Sequence, residues 1–388
     1  MRICIFSPYY DDVAESVLEV TSHYRHTDKL APALARRNHE VVVVQGFGED
    51  RTEVRNSVEF RYVQTPHRPV KRLLGGFLGA DLLAHGNLKH LLETVADTRP
   101  DAVHMIGLTL LQPLMAISTW CFKTGRPLTV SYHGGSPRRA RWLQSIQRCV
   151  LQRCHRVFFT TKNHGQAWIE AGLLREEQVA TCMEVSSSFV PADRESARAR
   201  TGMKGRPVFA WNARLHPVKD PLTALKGFSL IRKAWPEARL YMIYYSTEMQ
   251  VEVARAIADD PNLAQAVEMR GTIRPKAVED FLNSADFLIQ TSLQEVAGYS
   301  VLEAMSCGVI PVVTDIPSFR AMTDDGRCGI LAPIGDYRSM ADQTLRIDLA
   351  NVPALSRRVR EFFVQSLSYD AIARTYETAL NAGLARNA

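Results

Sequence analysis

The sequence predicts an α/β protein built as two doubly wound domains of similar size that face each other across a cleft. Three observations predict it. The chain has 388 residues, too many for one comfortable core. Short apolar runs alternate with amphipathic stretches almost from end to end, the rhythm of parallel strands covered by helices. That rhythm lapses once, near residues 186–206, and then restarts.

The elements follow in order. RICIFS reads as the first strand, and a helix over HTDKLAPALARRN follows it, ending where Asn38 can take the left-handed position after a helix. HEVVVVQGF is the second strand. GNLKHLLETVADTR reads as helix, DAVHMIGL as strand, and PLTVSYHG and RVFFTTK as further strands separated by a basic helix. The lapse, SSSFVPADRESARARTGMKGRP, is dominated by Ser, Pro, Gly and charge, as expected of a linker or domain edge. PVFAWNA, RLYMIYY, AVEMRGT and FLIQTS are strands of the second half, with helices over DPLTALKGFSLIRKA, VEVARAIAD and KAVEDFLNSA between them. Residues 1–188 are thereby assigned to the first domain and 205–364 to the second. Ligands in such sheets sit at the carboxyl ends of the strands. Two facing domains make the cleft the expected site.

Composition narrows the class. An apolar content of 46% with 23% charged residues is ordinary for a globular protein. The N-terminal MRICIFSPYY lacks the long apolar region of a signal peptide, and no stretch reaches the roughly 18 apolar residues that cross a bilayer. Seven scattered cysteines form no paired framework. A cytoplasmic protein is expected. Cys149, Cys154 and His155 lie close together, but their spacing fits no usual zinc pattern. The net charge of +6 is uneven: residues 1–190 hold 23 Lys and Arg against 18 Asp and Glu. Ser136 to Arg156 contains six arginines and no acid. Nucleic acid, an anionic membrane or acceptor, and a solvated helix face all fit that run.

The chemistry concentrates in QEVAGYSVLEAMSCGVIPVVTD, residues 294–315. FLIQTS should end near Ser292, and a loop through Gly298 leads to a helix from about Tyr299 to Cys307-Gly308. Strand, glycine-bearing loop and helix N-terminus together offer an anion site on the amides of Ala297, Gly298, Tyr299 and Ser300. Glu295 sits beside it and Glu303 just over one turn into the helix. A carboxylate beside a phosphate is unfavourable unless a ligand's hydroxyls use it, and a nucleotide sugar supplies such hydroxyls on both sides of its diphosphate. The helix dipole alone also favours a glutamate near a helix start.

EVAGYSVLEAMSCGVIPVVTD resembles the E-x7-E segment of the retaining GT-B glycosyltransferases of family 4 (group 1). WNARLHPVKDPLTALKGF, VEMRGTIRPKAVEDFLNSADFLIQTS, LSYDAIARTYETAL and LAPALARRNHEVVVV resemble further segments of that family, in the family's order. The resemblance implies a GT-B fold of two Rossmann-like domains, with a C-terminal helix near 366–384 crossing back to the first. It implies that Arg214 and Lys219 grip the diphosphate, Glu295 the donor sugar and Glu303 the ribose, with Gly298 in the phosphate loop. The base would rest near Ile273 and Arg274. His133, in VSYHGGSP, resembles the histidine that faces the donor sugar, with Gly134 and Gly135 admitting ligand close to the backbone. The sequence departs from the family at Val296, where Gly is usual, at Ala297, where an aromatic is common, and after the first strand. There Thr21 and Ser22 stand in place of Gly-Gly, which implies a reshaped acceptor side.

What the resemblance implies is metal-independent transfer of a hexose from a UDP- or GDP-sugar, with retention, to a sugar, a lipid-linked or a small-molecule acceptor. No cofactor, no bound metal and no nucleic-acid partner are expected. Peripheral contact at the inner membrane face is expected from HRPVKRLLGGFLG and the arginine-rich helix at 138–156. The alternatives are a nucleotide-sugar-binding scaffold without turnover, and a GT-B epimerase or phosphorylase.

Overall fold

The computed structural model describes residues 1–9, 16, 17, 19, 25–64 and 87–387. Thr21, Ser22 and HRPVKRLLGGFLG lie outside the described residues. The chain divides into two compact units, Met1–Val185 with Tyr369–Ala388, and Ser186–Ser368.

In the first unit the strands are β1 (Arg2–Ser7), β2 (Glu40–Phe47), β3 (Arg51–Arg55), β4 (Val58–Gln64), β5 (Ala102–Ile106), β6 (Leu128–Ser131), β7 (Arg156–Phe159) and β8 (Val179–Thr181). The helices are α1 (Arg25–Ala35), α2 (Leu88–Asp97), α3 (Leu111–Thr124), α4 (Arg141–Leu151) and α5 (Lys162–Glu170). The sheet order is β3-β4-β2-β1-β5-β6-β7-β8. Every pairing is parallel except β3 with β4. Val41 to Val44 of β2 are all buried, as a parallel strand covered on both faces requires. The β3–β4 hairpin was not anticipated. Its turn, Asn56-Ser57, has φ of 50° and 62°, the doubly left-handed geometry of a two-residue hairpin turn. Asn38 has φ 63°, the left-handed position expected after the first helix.

The second unit holds β9 (Val208–Asn212), β10 (Arg239–Ile243), β11 (Val267–Gly271), β12 (Phe287–Gln290), β13 (Ile310–Thr314) and β14 (Ile330–Ala332). Its helices are α6 (Arg194–Thr201), α7 (Pro221–Ala234), α8 (Gln250–Asp259), α9 (Pro261–Ala264), α10 (Pro275–Asn283), α11 (Tyr299–Ser306), α12 (Pro317–Met322), α13 (Tyr337–Leu345) and α14 (Val352–Phe362). The sheet is parallel throughout, in the order β11-β10-β9-β12-β13-β14. Phe209 stacks on Phe287 at 4.9 Å and meets Phe228 edge-on at 5.5 Å, which seats α7 on the sheet centre.

The stretch expected to be a linker contains a helix, α6. Asp193 caps its start, accepting from the Ser196 amide at 2.9 Å, and Gly202 ends it with φ 69°. Arg194 and Arg198 both reach the Asp286 carboxylate, at 3.0 and 2.9 Å, and that carboxylate also accepts from the Val208 amide at 2.7 Å. Charge pairs rather than an apolar stripe hold this helix, so hydrophobic periodicity has nothing to detect. Strand β12 ends at Gln290, two residues short of the expected Ser292. The Thr291 hydroxyl donates instead to the Asp220 carbonyl, 2.7 Å away.

The last helix, α15 (Tyr369–Asn387), returns to the first unit. Its Asp370 meets Arg36 at 2.7 Å, and its Glu377 pairs with Arg37 and, at 3.0 Å, with His39. Tyr376 is buried and stacks on Phe158 at 4.3 Å.

Candidate functional site

At the carboxyl edge of the second unit's sheet, two loops are laced together. The Asn212 carbonyl, ending β9, accepts from the Gln290 side-chain amide at 2.7 Å and from the Ser300 hydroxyl at 2.5 Å. The end of β9, the end of β12 and the start of α11 thus converge on one oxygen. After β9 the chain passes Arg214, makes a short helical turn at Pro217–Lys219, and enters α7 through Asp220. Asp220 has φ 43° and caps α7 with its side chain. The Leu293 amide donates to the Val218 carbonyl at 2.8 Å. These bonds fix the β9–α7 loop against the β12–α11 loop.

That lacing brings Lys219 and Glu295 into an ion pair across 76 residues of sequence. The two side chains are 16% and 15% exposed. The Ser292 hydroxyl donates to the same carboxylate at 3.1 Å, and the Ser318 hydroxyl donates to the Glu295 carbonyl. Arg214 is exposed and has no ion pair among the described residues. Gly298 caps α11 with φ 53°, and a Cβ there would lie 3.0 Å from both Met322 and Phe319. A helix start leaves its first amides without intrahelical acceptors. The amides of Ala297, Gly298 and Ser300 have no acceptor among the described residues. Tyr299 is 43% exposed, and Glu303 is half-buried one turn into α11. Ile273 and Arg274 follow β11, the edge strand, with Arg274 exposed at the cap of α10.

In the first unit, His133 follows β6. Its Nε2 lies 2.9 Å from the Ser131 hydroxyl, and its Nδ1 lies 3.4 Å from Glu184 Oε2. Both ring nitrogens therefore face groups of the same unit. Sequence reading did not single out Glu184, because nothing in the sequence links it to a histidine 51 positions away. Gly134 and Gly135 both have φ 97°, which favours glycine. A Cβ on Gly135 would sit 2.6 Å from Thr109, whereas one on Gly134 would meet nothing within 4 Å among the described residues.

Burial pushes the Glu184 carboxyl up to about 8 and the His133 imidazole down to about 4. Both are neutral at pH 7. The folded chain keeps a proton on Glu184 that the unfolded chain loses above its ordinary 4.5, so stability falls as pH rises towards 8. His133 acts oppositely between 4 and its ordinary 6.5, where the unfolded chain takes up a proton that the folded one refuses. The two effects offset below 6.5, which leaves a net loss of at most about 2 kcal/mol between there and pH 8. Urea midpoints should fall across that window in the parent chain and stay level in Glu184→Gln. A parent midpoint that does not move would refute the assignment.

Among the described residues, no group of three His, Cys, Asp or Glu side chains is placed to hold a metal, and no helix is long and apolar enough to cross a membrane. Residues 206–348 match the family Glycosyl transferases group 1, and residues 24–181 match Glycosyltransferase Family 4. A GDP-mannose:cellobiosyl-diphosphopolyprenol alpha-mannosyltransferase of Xanthomonas oryzae is 23% identical over 64% of this chain and 65% of its own length. A D-inositol 3-phosphate glycosyltransferase of Streptomyces avermitilis is 28% identical over 50% of this chain and 45% of its own. The chain thus spans under two thirds of the length of each of these curated relatives. The crystal structure of Anabaena HepE in complex with UDP and glucose shares the fold, with a TM-score of 0.63 and 16% identity over 98% of this chain and 100% of that one. The chain belongs to the group 1 glycosyltransferases of the GT-B fold.

Proposed function

We propose that this chain transfers a hexose from a UDP- or GDP-sugar to a sugar, lipid-linked or small-molecule acceptor, with retention of anomeric configuration and without a divalent metal. The observation that carries the reading is the convergence of Lys219, Glu295 and the start of α11 at one sheet edge. A cation, a carboxylate and acceptor-free amides side by side suit a diphosphate flanked by polyols. The relative named for GDP-mannose and the neighbour solved with UDP and glucose support a nucleotide-sugar donor.

In this reading Arg214 and Lys219 meet the diphosphate, with the amides of Ala297, Gly298, Tyr299 and Ser300. Glu295 takes donor-sugar hydroxyls, Glu303 the ribose, and the backbone near Ile273 and Arg274 the base. The bond from the anomeric carbon to the diphosphate oxygen breaks, and its electron pair leaves with the diphosphate. The acceptor oxygen bonds to the same face of that carbon, and its proton passes to the departing diphosphate. The protein stabilises the negative charge that grows on the leaving group. The acceptor side is assigned to the first unit, at Gly134 and Gly135, with Thr21 and Ser22 expected there too, and His133 keeps the catalytic role that the resemblance implies.

A thermal-shift panel over UDP, GDP and their sugars tests the reading. Binding at a hundredfold excess over Kd stabilises by roughly 2.7 kcal/mol. A flat response to every nucleotide would refute it. With an acceptor in hand, the anomeric proton coupling of the product reads retention, and an unchanged rate in EDTA reads metal independence. Peripheral membrane contact belongs to the same reading. It rests on α4, where Arg141, Trp142 and Arg148 are exposed, and flotation with anionic vesicles tests it.

A further inference from the structure

The first unit carries a second basic feature, at the end of its sheet opposite His133. β6 and β7 begin at Leu128 and Arg156, and a cavity of about 420 Å³ opens where they begin. Arg126, Arg153, Arg175 and Arg386 line it, together with His155 and the ring of Phe122. The four guanidinium groups come from distant parts of the chain. One follows α3, one follows α4, one precedes β8, and one lies at the end of α15.

Among the described residues no carboxylate lines the cavity, and no Asp or Glu occurs in the sequence between Asp101 and Glu170. Two acids approach two of the cations. Asp101 lies 3.8 Å from Arg126, and Glu177 lies 2.6 Å from Arg175. Arg153 and Arg386 have no ion pair among the described residues. Arg153 donates to the Thr119 hydroxyl at 3.1 Å and lies over Phe122, 5.1 Å from the ring centre. The Nε2 of His155 is buried without a hydrogen-bond partner among the described residues. The four cations that line one concavity repel each other, with two acids near them among the described residues, and an anion entering it offsets that repulsion. Guanidinium forks match the oxygens of a phosphate.

We propose that this cavity binds a phosphate group, as an inorganic ion, a soluble ester or a lipid headgroup, independently of the donor residues of the second unit. A headgroup in a bilayer would also meet the neighbouring outer faces of α3 and α4. There Phe122 is 69% and Trp142 61% exposed, and Arg139, Arg141 and Arg148 have no ion pair among the described residues.

Calorimetric titration of the full chain with inorganic phosphate tests this. Binding should weaken at least roughly tenfold in Arg153→Gln/Arg386→Gln, which removes two charge-assisted donors. The same loss should appear in a Lys219→Ala background, in which the diphosphate site of the second unit is itself weakened. Arg126→Gln/Arg175→Gln provides a second pair that leaves Phe122 and Thr119 their present contacts. No binding at millimolar phosphate, or equal affinity in the parent and both pairs, overturns the proposal. Flotation with phosphatidylglycerol vesicles against phosphatidylcholine vesicles then identifies the source. Flotation that Arg153→Gln/Arg386→Gln abolishes supports a lipid headgroup. Phosphate binding without flotation supports a free ion or soluble ester.

Discussion

Lys219→Ala is expected to lower kcat about 10²–10³-fold while affinity for the intact UDP- or GDP-sugar falls less than about tenfold. The ammonium sits on the carboxylate of Glu295 at the point where the β9–α7 loop crosses the β12–α11 loop. In the ground state the diphosphate's charge is shared with the sugar ester. In the transition state it moves onto the leaving oxygens, so a cation held there acts mostly on the rate. The substitution also strips a largely buried carboxylate of its partner, which costs stability in its own right. The double variant Lys219→Ala/Glu295→Gln separates the two effects. It should recover part of the lost urea resistance and none of the lost turnover. Equal, small losses in turnover and nucleotide-sugar affinity for Lys219→Ala would remove Lys219 from the reaction.

Asp286→Ala should destabilise the chain by about 3–5 kcal/mol, the largest effect on stability expected here. One carboxylate, 8% exposed, serves Arg194, Arg198 and the Val208 amide at the start of β9. Removing it leaves two guanidinium groups and an amide without their acceptor, and α6 loses its hold on the sheet. Asp286→Asn keeps an oxygen for the amide and should lose roughly half as much. Urea denaturation measures both. A loss under about 1 kcal/mol for the alanine variant would mean that the arginines find other partners, with Glu195 already 3.3 Å from Arg198.

The parallel sheets were legible because buried strands of this kind are nearly all apolar. VVVV in β2 and the run in β13 have almost no other reading. Helix ends were legible where a residue takes the left-handed conformation, as at Asn38 and at Gly308 with φ 77°. α6 was not, because Ala197 is the one residue it buries and its anchors are charges. The β3–β4 hairpin escaped because its turn is Asn-Ser without a glycine. At the site, Lys219 and Glu295 each drew notice separately. Their pairing depends on hydrogen bonds through Thr291, Leu293 and Asn212 that no local pattern encodes. The same holds for the arginine-lined cavity, whose members span Arg126 to Arg386, and for Glu184 beside His133.

Because α15 packs into the first unit, the second unit is an insertion within the first rather than a successor to it. A ribosome completes residues 186–368 before it makes Tyr376, the ring that closes the stack on Phe158 and meets His104 edge-on at 4.5 Å. The half that is synthesised first therefore waits, with those aromatic faces uncovered, for the half synthesised after it. Nascent chains arrested before residue 369 should accordingly engage holdase chaperones through their N-terminal portion.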